Sequence, residues 1–225
     1  MKALQPEPTL VEKVHKAILA EIAAGRLPAG ARLIQEQIAQ ELGVSRQPVQ
    51  QALTLLKQQG LLRDAPGRGL LVVPLDLDHV RQMYDIRAVL EGLAFAKAAE
   101  LGAQRMRDKG PALIRAGRKA AADGSVNKMI AADMDFHDFI YELSGNPMVA
   151  TSMEMHWTYI QRVMGEVLMR DEKPRDIWDQ HEELMEVVAN GKAKEAERLA
   201  RRHILAAADF MIERLQSETT HVTAL

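Results

Sequence analysis

The sequence predicts a mainly α-helical protein in two parts. A small N-terminal head of three helices and a hairpin precedes an all-helical antiparallel bundle of six or seven helices. Three observations predict it. Aromatic residues are 4% of the 225 while Ala, Leu, Met, Glu, Gln, Lys and Arg abound, a balance that favours helix. Apolar residues recur at three- and four-residue spacings through most of the chain. Two short β-like runs occur before Pro74 and none after it, which sets a boundary between 1–75 and 76–225.

The head is justified element by element. Leu10, Val14, Ile18 and Ile22 repeat every four residues and predict a first helix ending at Gly25. Pro28 and Gly30 make the turn that follows. Ile34, Ile38 and Leu42 form the apolar stripe of a second helix that stops at Gly43. Ser45 is placed to cap a third helix, with Pro48 in its first turn, where the missing N–H costs nothing. Val49, Ala52, Leu53 and Leu56 are its inward face. Leu61–Arg63 and Leu70–Val73 are strand-like, joined by a Pro-Gly-Arg-Gly tip. Three helices followed by such a hairpin make a winged helix-turn-helix.

The outward face of the third helix carries Arg46, Gln47, Gln50, Gln51, Thr54 and Lys57. Side chains of these types reach base edges and phosphates in a DNA major groove. Arg32 is placed to touch phosphate, and Ser45 to present its hydroxyl at the helix start. Arg68 at the tip either enters the minor groove or is an ordinary turn residue. Charge agrees in sign. Residues 1–75 hold 9 Lys and Arg against 6 Asp and Glu, whereas 76–225 hold 20 against 25. A mildly basic head on an acidic body suits a DNA reader joined to a sensor.

The second part is punctuated by Gly102, Gly110-Pro111, Gly124, Gly145-Asn-Pro147, Pro174 and Gly191. Helices are predicted near 78–101, 104–123, 127–144, 148–171, 175–190 and 192–217, with Asp76 or Asp78 capping the first. Met148, Met153, Met155, Met164 and Met169 are expected as core filler. No cysteine is present, so disulfides and thiolate metal sites are excluded. The N-terminus lacks a basic-then-apolar signal and no apolar run approaches membrane-spanning length, so the expectation is a cytoplasmic protein with no membrane partner.

At this point the residues resemble the GntR family of bacterial transcription regulators. The resemblance rests on Gly25-Arg-Leu-x-x-Gly-x-Arg-Leu33, Leu42-Gly-Val-Ser-Arg46, Pro48-Val49, Ala52-Leu53, Gly60-Leu61 and Gly67-Arg-Gly69. The second part looks like the helical ligand-binding domain of the FadR branch. The matching residues are Arg87 and Glu91, Asp133-x-x-x-His137, Ser144-Gly-Asn-Pro147, His181 and His203. The resemblance implies a regulator that binds double-stranded operator DNA as a homodimer and responds to a small organic acid. One departure concerns DNA. The family usually reads Pro-Val-Arg-Glu-Ala-Leu, and here Gln50 and Gln51 replace the Arg and Glu. Gln pairs well with adenine, whereas Arg prefers guanine or phosphate, so the operator is expected to depart from the usual half-site.

Asp133 and His137 are four apart and share a helix face with Ile130, Ile140 and Tyr141, so that face points inward. His181 and His203 lie on apolar stripes of their own. A single such histidine is ordinarily a hydrogen-bonded core residue. Three with an aspartate form a ligand set suited to zinc or nickel, with manganese or iron as alternatives. The competing reading is a proton-sharing cluster without metal. An effector carboxylate could complete the metal, paired by Arg87 and by Arg162. Each arginine also has a simpler reading, an ion pair with Glu91 and Glu166 respectively. The rival function is a metal-dependent hydrolase that activates water at the same centre, and a third reading is an architectural DNA-binding protein with an inert bundle. Against the hydrolase, Glu182 and Glu183 follow His181 on the wrong face to act as base.

Overall fold

A computed structural model describes residues 8–169 and 177–222. Its contacts divide the chain into two units, 1–75 and 76–225. Among the described residues there are nine α-helices and three short strands.

In the first unit, α1 (Leu10–Ala23) begins at a reciprocal cap. Thr9 accepts from the backbone N–H of Glu12, and the Glu12 carboxylate accepts from that of Thr9. Val14, Ile18, Leu19 and Ile22 are its buried face, but Leu10 is exposed. α2 (Gln35–Glu41) and α3 (Arg46–Gln58) follow, joined by a turn in which Gly43 takes φ +63°, a conformation that favours glycine. The Gln35 side chain donates to the carbonyl of Arg46 and ties the two helices together. Val49, Ala52, Leu53 and Leu56 are buried as expected. The predicted stripe of α2 is only partly right: Leu42 is exposed, Ile34 and Ile38 are half-buried, and Ala39 is the residue fully inside. A seven-residue helix spans only two turns, so the core takes one narrow edge of it.

The wing has one strand more than predicted. β1 (Arg32–Leu33), β2 (Leu62–Asp64) and β3 (Leu70–Val72) form an antiparallel sheet in the order β1-β3-β2. Two residues give too little alternation to reveal a strand in sequence. In the structure Leu33 pairs with Leu70 and its side chain is buried.

The second unit contains α4 (Leu77–Leu101), α5 (Ala103–Asp123), α6 (Val126–Leu143), α7 (Pro147–Leu168), α8 (Ile177–Ala189) and α9 (Ala193–Val222). Asp76 caps α4 by accepting from the backbone N–H groups of Asp78 and His79. Helix α4 packs along α9 and also touches α6, α7 and α8, so its inner face looks into the middle of the bundle. Pro111 lies inside an unbroken α5, so Gly110-Pro111 does not interrupt it. The predicted helix ends at 171 and 175 fall outside the described residues. Met153 and Met164 are core as expected, whereas Met148 and Met169 are exposed; the Met155 side chain is outside the described set.

Gly117 on α5 faces Trp178 of α8. A Cβ there would stand 2.1 Å from ring atoms of Trp178. The glycine therefore lets the indole lie flat against α5, and the same indole stacks on His181, centroids 4.7 Å apart.

Candidate metal centre and nucleic-acid interface

Three helices each supply one histidine to the centre of the bundle. His137 of α6 and His181 of α8 are 0% exposed, and His203 of α9 is 6%. One ring nitrogen from each lies within 4.8 Å of the others. The hydrogen bonds say which nitrogen. His181 Nδ1 donates to the carbonyl of Ile177 at 2.7 Å, one turn back on its own helix. His203 Nδ1 donates to Oε1 of Gln180 at 2.9 Å. His137 Nδ1 stands 2.6 Å from Oε2 of Glu91 on α4. With Nδ1 of His181 and of His203 each donating to an oxygen, Nε2 of both rings carries the lone pair, while Nδ1 of His137 lies close to Glu91 Oε2 without a hydrogen bond between them. This is the outer-shell arrangement that fixes metal-ligating histidines.

Asp133 joins the cluster. Its carboxylate oxygens are 3.2 Å from Nε2 of His181 and 3.9 Å from Nε2 of His137. Burial works against its charge, but His137 and His181 outweigh burial and hold the carboxyl well below the usual range. Burial pushes His203 well below its ordinary value, with the charges of His181 and His137 acting the same way, so it is neutral and ready to ligate. Nε2 of His181 is buried with no hydrogen-bond partner. An orphaned lone pair at the meeting point of three imidazoles and a carboxylate is what a divalent cation satisfies. The residues fit such an ion.

Arg87 sits beside the centre. Its Nε donates to Oε1 of Glu91 at 2.5 Å, and Nη2 lies 3.3 Å from Nε2 of His137. Its guanidinium is between the rings of Tyr84 and Trp157, 5.4 and 5.0 Å from their centroids. Burial opposes charge on Glu91, but Arg87 and His137 overcome it and hold the carboxyl at about 2. The i,i+4 ion pair of Arg87 and Glu91 is therefore present. Arg87 also lines a cavity of about 360 Å³ together with Asp133 and His203. Arg162 is buried but does not line that cavity. It shares a face of α7 with Tyr159 and Glu166, whose charges it feels, two residues out of phase with the lining residue Met164.

Sequence reasoning missed three participants. Gln180 orients His203, Trp178 backs His181, and Trp157 presents a buried indole N–H with no acceptor beside Arg87. Gln180 and Trp178 precede His181 by one and three residues, a signal too local to separate from ordinary helix sequence. Glu182 is half-buried and paired with Arg118, so it does not serve the centre as a base.

In the first unit, Arg46, Gln47, Gln50, Gln51, Thr54 and Lys57 are all exposed along α3. Ser45 is the N-cap residue of α3, but its side chain makes no cap bond, contrary to the expected capping role. Arg46 and Arg68 both pair with Glu36, Arg46 at 3.3 Å. Lys57 bridges to Asp64 at 2.7 Å. Arg32 donates to the carbonyls of Pro66 and Arg68, so it pins the wing tip.

Two family models match these units. Residues 10–72 match the model described as bacterial regulatory proteins of the gntR family, and residues 82–206 match the FCD domain. The chain is a GntR-family transcription regulator with an FCD domain. An HTH-type transcriptional regulator from an unstable DNA locus of Streptomyces ambofaciens is 30% identical over 88% of this chain and 83% of its own length. Among solved structures, Escherichia coli McbR/YncC superposes with a TM-score of 0.77 at 21% identity, covering 92% of this chain and 98% of that one. A putative GntR regulator from Rhodococcus sp. RHA1 gives 0.74 at 20% identity, over 90% and 97%. The regulator is thus a winged helix-turn-helix joined to a helical FCD domain. No helix among its described residues is long and apolar enough to cross a membrane.

Proposed function

We propose that this cytoplasmic regulator binds a two-fold operator as a homodimer and that a small organic acid, held on a divalent metal in the bundle, controls its operator affinity. The observation that carries the proposal is the convergence of one ring nitrogen from each of three buried histidines within 4.8 Å, with Nδ1 of His181 and of His203 hydrogen-bonded to an oxygen and Nδ1 of His137 2.6 Å from Glu91. Asp133, His137, His181 and His203 would hold the ion. The mixed carboxylate and imidazole set suits zinc or nickel, and also manganese or iron. The bound ion would supply a Lewis-acidic point for an effector carboxylate.

Arg87 is the group on this chain best placed to meet that carboxylate. It is pre-oriented by Glu91 and by two aromatic rings, and it opens on the cavity. Its Nη2 stands at the lone pair of His137, so an ion there would compete with it and turn the guanidinium toward the cavity. The effector must favour one arrangement of the two heads for operator affinity to change. On the head, Ser45, Arg46, Gln47, Gln50, Gln51, Lys57 and Arg68 form the proposed contact set, with Arg32 supporting the wing.

The homodimer is supported by the outer face of α4. Ile86, Val89 and Leu93 are 50, 52 and 42% exposed. The face is nearly palindromic about position 91: Val89 mirrors Leu93, Ile86 mirrors Ala96 and Asp85 mirrors Lys97. Two copies of α4 crossing antiparallel on a two-fold axis would bring apolar residues together and place Asp85 of one against Lys97 of the other.

The hydrolase reading has less support. The buried carboxylate next to the centre, Glu91, is committed to Arg87 and His137. The test is operator binding by the full chain, stripped of metal and reloaded with zinc, with and without acetate. The proposal expects acetate at saturating concentration to change the operator Kd only in the zinc-loaded protein. An operator Kd indifferent to both would overturn it.

A further inference from the structure

The cavity beside the metal centre is chemically lopsided. Arg87, Asp133 and His203 gather at one end. Tyr84 belongs there too, since Arg87 lies 5.4 Å from its ring. The Oε1 of Gln180 is already taken by His203. From His203 the lining continues along α9 through Ala207 to Met211, and along α7 to Met164 and Leu168. At 1.5 Å of rise per residue, Met211 is about 12 Å along the helix axis from His203. Over that length the named walls are hydrocarbon and thioether. Among the described lining residues, beyond the indole of Trp178, the next polar side chain is Arg214, exposed, with its guanidinium 5.3 Å from the Phe210 ring.

We infer that the effector is a monocarboxylate with an unsubstituted apolar body of several carbons, aliphatic or aromatic, rather than a very short or polyhydroxylated acid. This rests on the reading that a carboxylate meets a metal at the histidines. A polyhydroxylated body would bury hydroxyls among Met164, Leu168 and Met211, which offer them no hydrogen bond to replace their lost water. An apolar body gains from every carbon buried there, and methionines adapt to its shape. A volume of about 360 Å³ is enough for a small metabolite and too small for a large conjugate.

The test is calorimetry on the zinc-loaded full chain with acetate, butanoate, hexanoate, octanoate and gluconate. Kd should tighten about fourfold per added methylene until the cavity is filled. Hexanoate should bind more than tenfold tighter than gluconate, which also has six carbons. Met211→Gln and Leu168→Gln should each flatten the chain-length dependence. If acetate binds but affinity is independent of chain length, or gluconate binds as tightly as hexanoate, the inference is overturned and the metal-carboxylate reading stands. If zinc binds and none of the acids does, the metal-carboxylate reading falls and takes the inference with it.

Discussion

At the scale of single residues, the centre depends on groups that touch no ligand. Glu91 holds Nδ1 of His137 and the guanidinium of Arg87 at once, and Tyr141 donates to it as well. Glu91→Gln keeps the shape and removes the charge. The expected result is a metal affinity about 10- to 100-fold lower, read by competition with a chelator, because outer-shell partners of ligating histidines act at that level. On the head, Glu36 is the residue to change. It holds both Arg46 and Arg68, so on DNA it competes with phosphate and base for the same guanidinium groups. Glu36→Gln should tighten binding to non-specific duplex DNA and steepen its salt dependence, while Arg46→Ala should weaken operator binding by more than tenfold with zinc binding unchanged.

The residue types were legible in the sequence for a physical reason. A polar side chain at i, i+4 on an apolar helical face must find a partner, so Asp133, His137, His181 and His203 announced themselves. Glu91 and Arg87 were visible as a pair: the ion pair is formed, and Arg87 also lines the cavity, where it would meet the proposed effector. Arg162 shows the limit. Its place on α7 follows from helix phase, but which face of α7 meets the cavity is decided by packing against α9, which no local pattern encodes.

At the scale of elements, helix extents were set by signals that local chemistry fixes. Asp76, Ser125 and Asn146 cap α4, α6 and α7 by accepting from backbone N–H groups. Strand β1 was not legible, because its two residues gain strand geometry only by pairing with β3. Close approach between elements was equally hidden. Gly117 reads in sequence as a weak point of α5, whereas in the fold it is the seat of Trp178. Gly117→Ala should force the indole outward, lower stability by about 1–3 kcal/mol or more, and shift tryptophan emission to the red. Because Trp178 stacks on His181 and lines the cavity, zinc affinity should fall in the same variant. Unchanged stability and emission would show that the close packing of Trp178 on α5 does not depend on this glycine.

At the scale of the molecule, two units divide labour along the chain: a basic head with an exposed polar helix face, and an acidic bundle with a buried polar centre. The exposed apolar face of α4 links two such chains in the account given above. Val89→Glu should shift the protein from dimer to monomer in sedimentation velocity and weaken operator binding, with zinc affinity retained. Asp85→Lys should weaken the dimer less, and adding Lys97→Asp should restore it, since the pair would be reversed on both sides of the axis. A double variant no better than the single would argue against an antiparallel α4 contact.

The central claim is that the three buried imidazoles and Asp133 hold a divalent ion. It is tested most directly by elemental analysis of untagged protein, stripped with chelator, incubated with zinc and desalted, alongside His181→Ala treated identically. The account predicts about one zinc per chain in the unaltered protein and almost none in the variant. Equal and negligible zinc in both would contradict it and leave the histidines as a proton-sharing core cluster.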